Sequence, residues 1–201
     1  MKTRTALIVA MLSIAMLAET ASAQDVASET SAFATPRQRP SLFITAEELP
    51  ALREKLESEP FAAQWERFLA HADKCLDARL VPATHWLNHS RESLGVAATT
   101  AFAYLVTGDR RYGERAKREL LQSLTAERWT GGFFLVVGER CAGAALVYDW
   151  CYDLFAPEER ERYAKAIVRL GIEPYFSGKW WGVEVPVTNW RGVGHGGCGL
   201  A

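Results

Sequence analysis

The chain has 201 residues, 49% of them apolar, enough for one domain with its own core. Basic and acidic residues nearly cancel, 23 against 24, for a net charge of -1. That balance excludes a general attraction to nucleic acid or anionic membranes, so an acidic partner would have to be met by locally placed basic groups.

Lys2 and Arg4 give the N-terminus a positive start, residues 6–18 form an uncharged apolar run, and Ala21-Ser22-Ala23 supplies a small-x-small pattern before Gln24. This is the pattern of a secretory signal peptide cleaved after Ala23. The run is shorter than the roughly 20 apolar residues of a spanning helix, which argues against a membrane anchor. The mature protein is therefore expected in the periplasm or outside the cell, with no membrane association after cleavage. Export permits disulfides. Cys75, Cys141, Cys151 and Cys198 are nevertheless widely spaced, with no pair at metal-site spacing, and buried thiols acting as small apolar fillers are the favoured reading.

Residues 24–39 are rich in Ser, Ala and Thr and read as a flexible leader, with order expected from Pro40 onward. Thr45, three residues before Glu48, forms a capping-box pattern, and Leu49, Leu52 and Leu56 then share one helix face. Pro60 is expected to start a second helix whose stripe is Phe61, Trp65, Phe68, Leu69, Ala72 and Leu76. Residues 93–106 carry no charge and predict a helix buried on every side. Gly108 suits its C-terminal cap and Asp109 the next N-cap. The following helix, residues 110–127, is amphipathic, with Tyr112, Ala116, Leu120 and Leu124 inward and Arg111, Arg115, Arg118 and Gln122 outward.

The pattern then repeats. Residues 133–137 read as a strand, a buried loop or a helix entry, and residues 141–152 hold one charge, Asp149. Pro157, Glu158 and Glu159 open another amphipathic helix with Tyr163, Ala166, Ile167 and Leu170 on one face. From Gly178 the composition changes to Trp180, Trp181, Asn189, Trp190, Arg191 and His195 among glycines, which suits a cleft wall. The expected class is all-α. Buried helices alternating with half-wet ones fit a partial (α/α) toroid of helical hairpins over residues 40–201, with an ordinary helical bundle as the alternative. At ~30 to 40 residues per hairpin, a ring of five or six hairpins needs several hundred residues. The chain is accordingly expected to be the N-terminal part of a longer protein.

Some chemistries find no pattern. The glycines of residues 192–197 follow no strand and make no phosphate loop, and no Gly-x-Ser-x-Gly elbow is present. His85 and His89 lack neighbours at ligand spacing, so neither a metal nor a cofactor is expected. Glu139 and Asp149 are read as salt-bridge or helix-end partners, and Asn88 or Ser90 as a helix cap.

Taken in order, several segments resemble the N-terminal toroid domain of the heparinase II/III-like and alginate-lyase-like polysaccharide lyases. They are Arg39-Pro40-Ser41-Leu42-Phe43-Ile44-Thr45 with Glu47-Glu48-Leu49, and Ala101-Phe102-Ala103-Tyr104-Leu105-Val106-Thr107-Gly108-Asp109. Tyr148-Asp149-Trp150-Cys151-Tyr152-Asp153 with Pro157-Glu158-Glu159-Arg160, and Asn189-Trp190-Arg191-Gly192-Val193 with Gly196-Gly197, complete the set. The resemblance implies β-elimination on a uronate-containing glycan. Carboxylate-neutralising donors acidify the C5 proton, a base removes it, and an acid protonates the leaving oxygen. It implies Asn189 as a neutralising donor and His195 as a second catalytic candidate, although His195 lies farther from the Asn than the family pattern has it. The family's Tyr is expected beyond Ala201, so the chain alone is expected to be inactive. Arg91, Trp180, Trp181, Trp190 and Arg191 are the candidate substrate-binding residues, and an acidic polysaccharide is the expected partner. A uronyl C5-epimerase and a non-catalytic glycan-binding or scaffold protein are the alternatives.

Overall fold

A computed structural model describes residues 38–131, 134–178 and 189–201. The signal-peptide segment, leader residues 24–37, Phe133, Trp180 and Trp181 lie outside the described residues. Residues Arg39–Ala201 form one compact unit.

The described residues are all-helical. The helices are α1 (Leu49–Glu57), α2 (Ala62–Asp77), α3 (Leu87–Thr107), α4 (Arg110–Leu124), α5 (Phe134–Trp150), α6 (Pro157–Ile167), α7 (Glu173–Ser177) and α8 (Asn189–Leu200). A 3-10 turn (Tyr152–Leu154) follows α5, and one π-turn (Val168–Ile172) joins α6 to α7.

Packing sorts the helices into two layers. Helix α5 lies between α3 and α8, while α4 packs on α3, and α6 with its π-turn packs on α5. The inner helices run parallel. Ser90 and Arg91 of α3 meet Glu139 of α5, Leu94 lies beside Gly143, and Phe102 meets Trp150. Likewise Phe134 meets Trp190, Gly138 meets Gly194, and Ala145 shares a pocket wall with Leu200. The N-terminal ends of α3, α5 and α8 therefore lie at one end of the unit.

Local chemistry explains most boundaries. Gly108 sits at φ 72° and donates its N–H to the Tyr104 carbonyl (2.8 Å), so the left-handed residue both ends α3 and satisfies an orphan acceptor. Asp109 accepts the Arg111 N–H (2.9 Å) and opens α4. Pro157 is the first residue of α6, and the Glu159 carboxylate accepts the Ala156 N–H (2.9 Å). At α1 only half of the capping box forms. The Thr45 N–H reaches the Glu48 carboxylate (2.9 Å), but the Glu48 N–H goes to the Thr45 carbonyl, not to its hydroxyl. Pro60 lies in the turn before α2, and Phe61 is exposed, leaving Trp65, Phe68, Leu69, Ala72, Cys75 and Leu76 as the packing stripe.

Of four expectations the structure overturns one. Helix α5 is buried nearly all round, as its composition implies. In α3, residues 93–106 are buried or half-buried except for Gly95, and the open charges Arg91 and Glu92 precede that stretch. Residues 134–137 resolve as the entry of α5. Arg115 lies inside, at 1% exposure, where the sequence pattern has it outward. Its Nε donates to the Cys75 carbonyl (2.9 Å), and Nη2 reaches the Ala78 and Arg79 carbonyls, so the guanidinium satisfies the unpaired C-terminal end of α2. Glu119, also buried, pairs with Arg115 (2.9 Å) and accepts the Ser93 hydroxyl (3.0 Å).

Asp149, at the C-terminal end of α5, accepts the Arg39 guanidinium, the Ser41 N–H (2.8 Å), the Leu42 N–H (2.9 Å) and the Ser41 hydroxyl (3.1 Å). Trp150 Nε1 donates to the Leu42 carbonyl (3.0 Å). Residues 39–42 are thus tied to the end of an inner helix.

Candidate functional site

Helix α8 carries five glycines in twelve residues. Intrinsic propensity opposes this helix by about 4–5 kcal/mol relative to alanine, at roughly 0.8–1.0 kcal/mol per glycine. Close packing supplies the compensation. A Cβ on Gly197 would run into the Gly138 carbonyl, one on Gly138 would lie 2.6 Å from the Val193 carbonyl oxygen, and one on Gly194 would lie 2.6 Å from the Tyr175 hydroxyl. The glycines at 138, 194 and 197 thus let α8 lie directly on α5, while Asn189, Gly192, Val193, His195, Gly196 and Gly199 stay exposed.

The close approach assembles a polar cluster. His195 Nδ1 hydrogen-bonds the Tyr175 hydroxyl, with the two rings at 86° and 5.5 Å. Arg191, one turn back on α8, donates Nε–H to His195 Nε2 (3.1 Å). A guanidinium only donates, so Nε2 accepts, and the neutral imidazole must carry its proton on Nδ1 and give it to the Tyr175 oxygen. Tyr175 is buried at 2% exposure, whereas His195 is open to solvent. Burial, with Cys198 nearby, raises the Tyr175 hydroxyl above the ordinary tyrosine value against a smaller opposing pull from Arg191.

A second group lies at the N-terminal end of α3. Arg91, whose side chain is 57% exposed, pairs with buried Glu139 (3.1 Å), which also accepts the Ser90 hydroxyl (2.5 Å). Neither Asn88 nor Ser90 caps α3; Trp86 holds the cap position without a side-chain bond, and Ser90 serves Glu139 and the Leu87 carbonyl. At the N-cap of α3, Trp86 is 64% exposed and stacks on His85 (5.5 Å, 22°). The Thr84 hydroxyl and His89 Nδ1 share a hydrogen bond (2.7 Å). Next in sequence to Glu139, buried Arg140 donates to the Ser123 hydroxyl (2.9 Å) and the Thr84 carbonyl (2.8 Å), and its Nε has no protein acceptor among the described residues.

Of the sequence candidates, His195 and Arg191 are joined directly, and Asn189 is the exposed first residue of the same helix. Arg91 belongs to a separate cluster at the same end of the inner layer. Trp190 is half-buried against Phe134 (5.9 Å), so its ring packs on the core instead of standing open as a platform. Sequence reasoning missed Tyr175 and Trp86. A Tyr-Phe pair in a five-residue helix carries no periodic signal, and one tryptophan among seven gives no sign of being left uncovered.

Among the described residues no cluster of three His, Cys, Asp or Glu side chains is placed to hold a metal ion. No helix among them is long and apolar enough to cross a membrane. Three parallel helix N-termini bring positive dipole ends to one end of the unit, where Arg91, an exposed indole, Asn189 and Arg191 lie at or near the helix starts. Neither known family models nor curated proteins give a match to this sequence.

Proposed function

We propose that the chain is part of an exported polysaccharide lyase that cleaves uronate-containing glycan by β-elimination at the α8 face. The observation carrying this reading is the Tyr175–His195–Arg191 cluster beside exposed Asn189. In the proposed reaction Arg191 and Asn189 take the sugar carboxylate, which acidifies the C5 proton. Drawing Arg191 onto the substrate frees His195 Nε2, the exposed nitrogen, to accept that proton. Tyr175 keeps the imidazole oriented through Nδ1 and stabilises the imidazolium. Proton return to the leaving oxygen then completes the elimination. Parallel inner helices with antiparallel outer ones are the arrangement a toroid repeats, and the exposed Trp86 face and Arg91 suit an acidic sugar farther along the same end.

The test incubates the chain, and separately the product of its complete reading frame, with uronate-containing polysaccharides. An unsaturated uronate appears as new ultraviolet absorbance. His195→Ala should abolish it, and Tyr175→Phe should lower kcat and shift its pH profile with less effect on KM. Solvent hydrogen exchange at C5 without the chromophore would instead mark an epimerase. A glycan-dependent rise in melting temperature with neither signal would mark a binder. Absence of all three from both proteins would overturn the reading.

A further inference from the structure

Cys141 of α5 and Cys198 of α8 are both buried, at 0% and 4% exposure, and the register of these parallel helices, with Gly138 against Gly194 and Gly197, brings the two thiols together across the α5–α8 contact. The Cys141 sulfur is held in place by its neighbours. A Cβ on Gly171 would collide with Cys141 Sγ, so that sulfur occupies the space the π-turn glycine leaves, with the Trp129 ring beside it. The pairs Gly138–Gly194 and Gly138–Gly197 hold the two backbones close on the same stretch. Cys75 and Cys151 are also buried, but Cys75 contacts His71 of its own helix. Two thiols fixed in contact, on helices 57 positions apart in sequence (198 less 141), are preorganised for a covalent link.

We propose that Cys141 and Cys198 form a disulfide that fastens α8, and with it Asn189, Arg191 and His195, to α5. The oxidant is a small-molecule or protein disulfide. The thiolate of one cysteine attacks it, forms a mixed disulfide and expels one thiolate. The second cysteine then attacks the protein sulfur of that mixed disulfide and expels the other. The protein loses two electrons and two protons, and the oxidant is reduced to two thiols. Once the chain is folded, contact between the two cysteines, with burial, raises the Cys141 thiol, the same contact lowers the Cys198 thiol, and both sulfurs are shut off from a dissolved disulfide. Exchange therefore belongs to the stage before α8 docks, and the folded reduced protein oxidises slowly.

The experiment refolds the reduced chain in a buffer of reduced and oxidised glutathione and alkylates the remaining thiols. The expected product carries two alkyl groups, on Cys75 and Cys151, and a tryptic species joining residues 141–160 to residues 192–201. Fragmentation between Cys141 and Cys151 assigns the bond. The bridged protein melts higher than the same protein after reduction, and Cys198→Ser loses both the cross-link and that difference. Cys151→Ser keeps them. Four alkylated cysteines after oxidative refolding, or a bond through Cys151 or Cys75, would overturn the proposal. The outcome is independent of glycan chemistry at α8, so a failed lyase assay leaves it standing.

Discussion

Replacing Asp149 by alanine should release the segment at residues 39–42 and cost the fold about 4–5 kcal/mol. The magnitude comes from the donors left behind. The Ser41 and Leu42 amides each lose a bond to a carboxylate, at roughly 1.5 kcal/mol apiece for hydrogen bonds to a charged group. The Trp150-to-Leu42 bond depends on the same local path and adds about 1 kcal/mol. The Arg39 side chain is 31% exposed and can rehydrate, so its ion pair contributes at most about 1 kcal/mol. Asp149→Asn keeps one acceptor but turns an amide donor toward backbone donors, and should cost about 2 kcal/mol. Urea unfolding followed by circular dichroism measures both, with the slope checked for two-state behaviour. Hydrogen exchange at the Ser41 and Leu42 amides reports the local release. A loss below about 1 kcal/mol for the alanine variant, with both amides still protected, would refute the reasoning.

Gly197→Ala drives a methyl group into the Gly138 carbonyl and should destabilise by about 1–3 kcal/mol, with tryptic cleavage after Arg191 accelerated. Glu119→Ala strands the Arg115 guanidinium inside and should cost about 3–5 kcal/mol, whereas the double change Arg115→Met, Glu119→Leu should recover only part of that, because the α2 carbonyls stay unpaired; a double-mutant cycle reads the difference. The Glu159 carboxyl is lowered to about 2, first by Lys117 and then by the Ala156 N–H. Its contribution is complete above the unfolded value of about 4.3 and lost as pH falls through 2. Glu159→Gln should therefore flatten the stability–pH curve in that acid window, and an unchanged slope there would contradict the assignment. Gly108→Ala forces a Cβ into a left-handed position and should lower stability by about 1 kcal/mol in the same urea assay.

The all-α class, most helix boundaries and the amphipathic faces were legible locally, because they depend on spacing and caps within one turn of chain. Gly108 and Asp109 fix a stop and a start with no help from elsewhere, and the apolar composition of α5 demands burial on all sides. Contacts between distant segments were not legible. Arg115 reads as a surface residue by its position on α4, yet it goes inside because the carbonyl end of α2 lies over it. The glycines of α8 oppose a helix by composition. They become helical only because α5 offers a matching glycine face, since propensity is worth about 1 kcal/mol per residue and dense packing outweighs it. Tyr175 and His195 stand 20 positions apart, and nothing in either neighbourhood foretells their bond. Asp149 was readable as a charge needing a partner, but which residues would supply the donors was decided only when the chain closed 110 positions apart.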